Sequence, residues 1–143
     1  PVGAAQPSNL IRIDPDTGVL ISSVLIKQGA ESLSISDLAV QPTTGALYGI
    51  RKFDDRLPTD GKLYVIDTTT GAATLLGDTG LFFASIAFAP DGTLYMSAAT
   101  YDEQAGPVAP FTWLTLNPAN AATLTSVARR RANIPCRRSL YGA

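Results

Sequence analysis

The stretch Ser36–Asp78, SDLAVQPTTGALYGIRKFDDRLPTDGKLYVIDTTTGAATLLGD, decides the fold. Two short apolar runs are joined by the turn Pro42-Thr-Thr-Gly45. A longer polar loop follows, and then two more runs are joined by Asp67-Thr-Thr-Thr-Gly71. Runs of this length, punctuated by Gly and Pro and free of helical periodicity, are strands. Each tight turn pairs its flanking runs as an antiparallel hairpin.

The rest of the chain repeats this unit in two parts. The hairpin Leu63-Tyr-Val-Ile-Asp67-Thr-Thr-Thr-Gly71 has a counterpart in Leu10-Ile-Arg-Ile-Asp14-Pro-Asp-Thr-Gly18. A degraded copy is Trp113-Leu-Thr-Leu-Asn117-Pro-Ala-Asn-Ala121. Asp14 and Asp67 are 53 positions apart, and Asp67 and Asn117 are 50 apart. Asp or Asn opens each turn, where its side chain can bond the backbone two residues on, and Gly18 and Gly71 can take positive φ. The other part, Leu38-Ala-Val-Gln-Pro42-Thr-Thr-Gly45-Ala-Leu47-Tyr48-Gly49, is matched 48 positions on by Ile86-Ala-Phe-Ala-Pro90-Asp-Gly92-Thr-Leu94-Tyr95-Met96. Ala132–Ala143 aligns without gaps on Ala39–Ile50, with Ala, Pro, Leu, Tyr and Gly in common. It reads as a third copy of that part. Arg131 fits badly, because it falls where Leu38 sits; the competing reading is an unrelated basic tail.

The chain thus reads as one all-β domain over 1–143: a half unit at 9–27, whole units at 35–78 and 83–128, and a half unit or basic tail at 129–143. Its 143 residues suffice for one core, and 45% apolar with 16% charged residues is a globular composition. Pro1 in place of Met reads as a processed product or a fragment.

Composition also excludes chemistry. The chain has no His, which removes the commonest general base and the Ser–His and Cys–His nucleophile pairs. The single Cys136 forms no intrachain disulfide. The longest apolar run, Leu81–Ala89, is about half a membrane span. Net charge is −1, but residues 1–128 hold six Lys/Arg against twelve Asp/Glu, whereas Arg129, Arg130, Arg131, Arg137 and Arg138 make the remainder basic. No aromatic residues interleave with these arginines, so pairing with the acidic body of a partner chain is preferred over nucleic acid.

Ile86-Ala-Phe-Ala-Pro-Asp-Gly-Thr-Leu-Tyr resembles blades of the gluconolactonase-like, NHL and YVTN β-propellers. Leu63-Tyr-Val-Ile-Asp-Thr-Thr-Thr-Gly is similar to the repeat of bacterial extracytoplasmic propellers. The resemblance implies four-stranded antiparallel blades and a location outside the cytoplasm, and it is weak for function. Three blades are too few for a ring of about four to eight. The expectation is therefore a six-bladed ring made by two chains with swapped half-blades. A head-to-tail polymer or filament is the open-ended alternative, and a fragment of a longer propeller is another.

In the resembling families the longer links gather on one face. Here those links are Gln28–Ser34, Phe53–Gly61, Asp78–Phe82 and Thr100–Pro110, which makes that face the expected binding surface. Its charged residues are Glu31, Asp54, Asp55, Arg56, Asp60, Asp102 and Glu103. They read first as solvated surface, and in the alternative as oxygen ligands for Ca2+. Asp37 precedes an innermost strand, where gluconolactonase-like propellers hold a catalytic metal. Its equivalents, Ser85 and Arg130, depart from that pattern. An Asp hydrogen-bonded at a strand start competes with a metal ligand there. The first expectation for function is a non-catalytic binding or assembly module that self-associates, and the second is a metal-dependent lactonase-like hydrolase.

Overall fold

A computed structural model describes residues 6–51, 61–102 and 106–127. Twelve strands and no helix occur among them. The hairpin β1 (Asn9–Ile13) and β2 (Leu20–Leu25) comes first, followed by the short pair β3 (Lys27–Gln28) and β4 (Glu31–Ser32). One four-stranded antiparallel sheet runs β5 (Ile35–Val40), β6 (Leu47–Arg51), β7 (Lys62–Ile66), β8 (Ala73–Asp78), in chain order. Another runs β9 (Phe82–Phe88), β10 (Leu94–Asp102), β11 (Gly106–Leu116), β12 (Thr123–Val127), also in chain order. Each is an up-and-down meander whose first and last strand pairs are joined by tight turns.

The turns have the same construction in all three hairpins. The amides of Gly18, Gly71 and Ala121 donate to the carbonyls of Asp14, Asp67 and Asn117 at 2.8, 2.9 and 2.9 Å. Asp14 Oδ1 accepts from the Asp16 and Thr17 amides, Asp67 Oδ1 from Thr69 and Thr70, and Asn117 Oδ1 from Ala119. The closing residues Gly18, Gly71 and Ala121 have φ of 70°, 73° and 60°. Ala121 thus keeps a left-handed turn that Gly makes cheaply.

The sheets stack through two apolar clusters. Ile50, Leu63 and Ala39 of the β5–β8 sheet pack with Ile86, Leu94, Met96, Leu114 and Leu116 of the β9–β12 sheet. On the other side of the β5–β8 sheet, Leu47, Tyr64, Ile66 and Ala73 pack with Ile26 and Leu33, and Leu10 joins them from β1. The central strands β6 and β7 are therefore covered on both faces. That is why Leu63-Tyr-Val-Ile reads as a continuous apolar run rather than an alternation.

Each stack is also fastened by backbone contact at the hairpin turn. Lys27 N donates to Gly71 O at 3.0 Å, and a Cβ on Gly71 would run into the Leu25 carbonyl. At the next junction a Cβ on Gly77 would run into the Asn120 carbonyl, beside Ala121. Gly71 and Ala121 hold the same turn position, and Val24 and Gly77 hold the same position on β2 and β8. The same junction therefore occurs twice.

The link expected as loop at Gln28–Ser34 contains the β3–β4 pair, with Gly29 at φ 57°. The link expected at Thr100–Pro110 is mostly ladder, with Thr100 opposite Val108, Tyr101 opposite Pro107 and Asp102 opposite Gly106.

Candidate functional site

In the β5–β8 sheet the register sets Ile35 beside Arg51 and Lys62 beside Asp78, so all longer links leave from one end. The tight turns Gln41–Ala46 and Asp67–Ala72 close the other end. The link end is held together locally. Glu31 Oε1 lies 3.1 Å from Arg51 Nη1, tying the β3–β4 pair to the end of β6. The Thr79 amide and hydroxyl both donate to Gly61 O, at 3.1 and 3.0 Å. Arg51 is mostly buried and Glu31 mostly exposed, so the pair positions a link more than it stabilises the fold.

Asp37 sits just after a β-bulge. β5 loses register between Ile35 and Asp37, and β9 does so at the matching place, before Ser85. A bulge re-aims the side chain next to it. Here it lets Asp37 reach the neighbouring sheet: Oδ2 accepts from Ile86 N at 2.8 Å while Oδ1 accepts from Leu38 N at 2.9 Å. Both carboxylate oxygens are thus engaged by backbone amides. No signal in the sequence pointed to Ile86 as the partner, because the two residues are 49 positions apart.

Among the described residues, no group of three or more His, Cys, Asp or Glu stands close enough to hold a metal ion. Asp54, Asp55, Arg56, Asp60 and Glu103 lie outside the described residues, and Asp102 ends β10. Glu31 and Asp37 are not brought together: one pairs with Arg51, the other with Ile86 N. No helix among the described residues is long and apolar enough to cross a membrane.

A groove of about 570 Å³ runs along β1 and is lined by Leu10, Ile11, Arg12, Ile13, Ser22, Thr68 and Thr69. One edge of β1 pairs with β2 and the other has no strand partner among the described residues. Ile11 and Ile13 of β1 and Val19, Leu20 and Ile21 beside it are exposed. Sequence reasoning marked the acidic links as the binding face. The structure also leaves this apolar hairpin exposed.

The chain matches no protein-family model and no curated protein.

Proposed function

We propose that this chain is a non-catalytic assembly or binding module of the β-propeller type, working outside the cytoplasm. Each chain supplies three blades' worth of strands, and two chains close a six-bladed ring. Residues 129–143 of each chain complete the blade begun by β1 and β2 of the other. The observation that carries this reading is the junction between neighbouring units, which occurs twice at the same pair of positions: Val24 against Gly71, then Gly77 against Ala121. A contact that repeats with a common displacement builds an array, and an array ends in edges that take a further copy.

The β7 ladder gives the register for the missing pairing. Leu47 lies opposite Ile66, Tyr48 opposite Val65 and Gly49 opposite Tyr64. Carried over by the repeat, Leu140 would lie opposite Ile13, Tyr141 opposite Arg12 and Gly142 opposite Ile11. Gly45 and Asp67 line one groove, so the same transfer sets Arg138 near Asp14. This pairing adds strands to an open edge and joins opposite charges.

Light scattering tests the reading. A ring gives about twice 15.0 kDa, and a compact 15.0 kDa species at all concentrations refutes it. Deleting Arg129–Ala143 is expected to dissociate the ring; unchanged mass would show that the tail takes no part.

A further inference from the structure

Each internal junction buries the same two positions of the following unit under the same position of the preceding one. Tyr64, Ile66 and Ala73 are buried on the side of the β5–β8 sheet that meets the first hairpin, where Leu10 packs. Leu114 and Leu116, at the positions of Tyr64 and Ile66, are buried in the cluster that contains Leu63. Leu63 holds the position of Leu10. The third residue in that series is Trp113, and the third set of covered positions is Ile11 and Ile13.

These end positions are open. Tyr64 and Ile66 are 1% and 3% exposed, whereas Ile11 and Ile13 are 53% and 49% exposed. Leu63 is 0% exposed and Trp113 is 50%. One end of the array therefore carries an uncovered apolar face of the kind a following unit presents. The other end carries the knob a preceding unit inserts. The two faces are not alike, so a copy cannot pair its own face with the same face of another; the contact runs head to tail.

We infer that Trp113 of one copy seats on Ile11 and Ile13 of a second copy, making a third instance of the junction already present twice within the chain. The inference rests on the self-assembly reading above and names its contact. The occupant is a second copy because the chain's own junctions show what covers each face: Leu63 packs beside Leu114 and Leu116, and Leu10 beside Tyr64 and Ile66. A large aromatic at the centre of such a patch is the residue type that dominates association energy.

Trp113 is the sole tryptophan of the chain, so its fluorescence reports this contact alone. On dilution of the full chain, emission is expected to shift to the red and acrylamide quenching to rise as the light-scattering mass halves. Trp113→Ser and, separately, Ile11→Lys are expected to weaken association by at least about thirty-fold. Both sites are half exposed in the single chain, so circular dichroism should stay unchanged. Cysteine pairing fixes the direction. In a Cys136→Ser background, Ile11→Cys and Trp113→Cys chains are expected to cross-link when mixed and not when alone. If Trp113→Ser and Ile11→Lys leave a dimer intact, or either cysteine variant cross-links alone, the contact is overturned while the ring stands. A monomer at every concentration overturns both.

Discussion

The Asp37 carboxylate bridges two sheets, with Oδ2 accepting from the Ile86 amide at 2.8 Å and Oδ1 from the Leu38 amide at 2.9 Å. Ile86 is buried, so its amide has little access to water once Asp37 is removed. Asp37→Ala is expected to cost about 1–3 kcal/mol, the penalty for a buried donor left without an acceptor. Asp37→Asn keeps one acceptor oxygen and should cost roughly half as much. Urea unfolding of the two variants measures the difference. Equal losses would mean that the charge, rather than the bond to Ile86, is what matters.

Asp14, Asp67 and Asp91 hold their carboxyls below the ordinary value of 3.8. The largest cause is a backbone amide in each case, that of Thr17, Thr70 and Thr93 respectively, with the same threonine's hydroxyl next. A carboxyl whose folded pKa is depressed contributes stability above its unfolded pKa. That contribution is lost as pH falls through the folded value. Stability is therefore expected to hold from neutral pH down to about 4 and to decline below it. Asp67→Asn, which keeps the Oδ1 acceptor but cannot ionise, should flatten that decline. Urea midpoints measured at several pH values for the two chains would show it; parallel curves would contradict the assignment.

The all-β class and the turns were legible because their causes are local. Asp67 and Gly71 are four residues apart and fix their turn by themselves. The links were less legible. Thr100–Pro110 was expected as a link between strands, yet Pro107 lies in a ladder opposite Tyr101. Among the described residues β12 pairs with β11 only over Trp113–Leu116, which leaves the earlier part of β11 a side without a described partner, where a missing N–H costs little. The β3–β4 pair is too short to show a period. Asp37 was marked as chemically notable, but its partner could not be read. Sequence spacing carries no information about an amide on another sheet.

Ser8 ties the start of the first hairpin to the β5–β8 sheet. Its hydroxyl donates to Ile35 O at 3.0 Å and accepts from Ile35 N at 2.9 Å, while its backbone bonds Leu33 and Ile26. Ser8→Ala removes both side-chain bonds and is expected to cost about 1–2 kcal/mol. The loss should be local. Hydrogen exchange at the Ile35 amide should accelerate while the amides of β9 and β10 keep their protection. Uniform acceleration would show that the hairpin and the second sheet open as one unit.

At the two junctions, bulk sits on opposite partners: Val24 faces Gly71, and Gly77 faces Ala121. A Cβ on Gly77 would strike the Asn120 carbonyl, which belongs to backbone and cannot swing away. Gly77→Ala is therefore expected to cost about 1–3 kcal/mol, in the range of overpacked cores. Gly18 has the same turn geometry as Gly71 but open space around its Cβ position. Gly18→Ala should cost only the left-handed penalty of about 1–2 kcal/mol. Ala121→Gly removes that penalty at φ 60° but also a buried methyl worth about 0.8 kcal/mol, so the single change should be near neutral. Combined with Gly77→Ala, it should recover part of the loss, because a turn without a Cβ can recede from β8. A double-mutant cycle in urea measures that coupling. Strict additivity would show that Gly77 and Ala121 do not share a junction in solution.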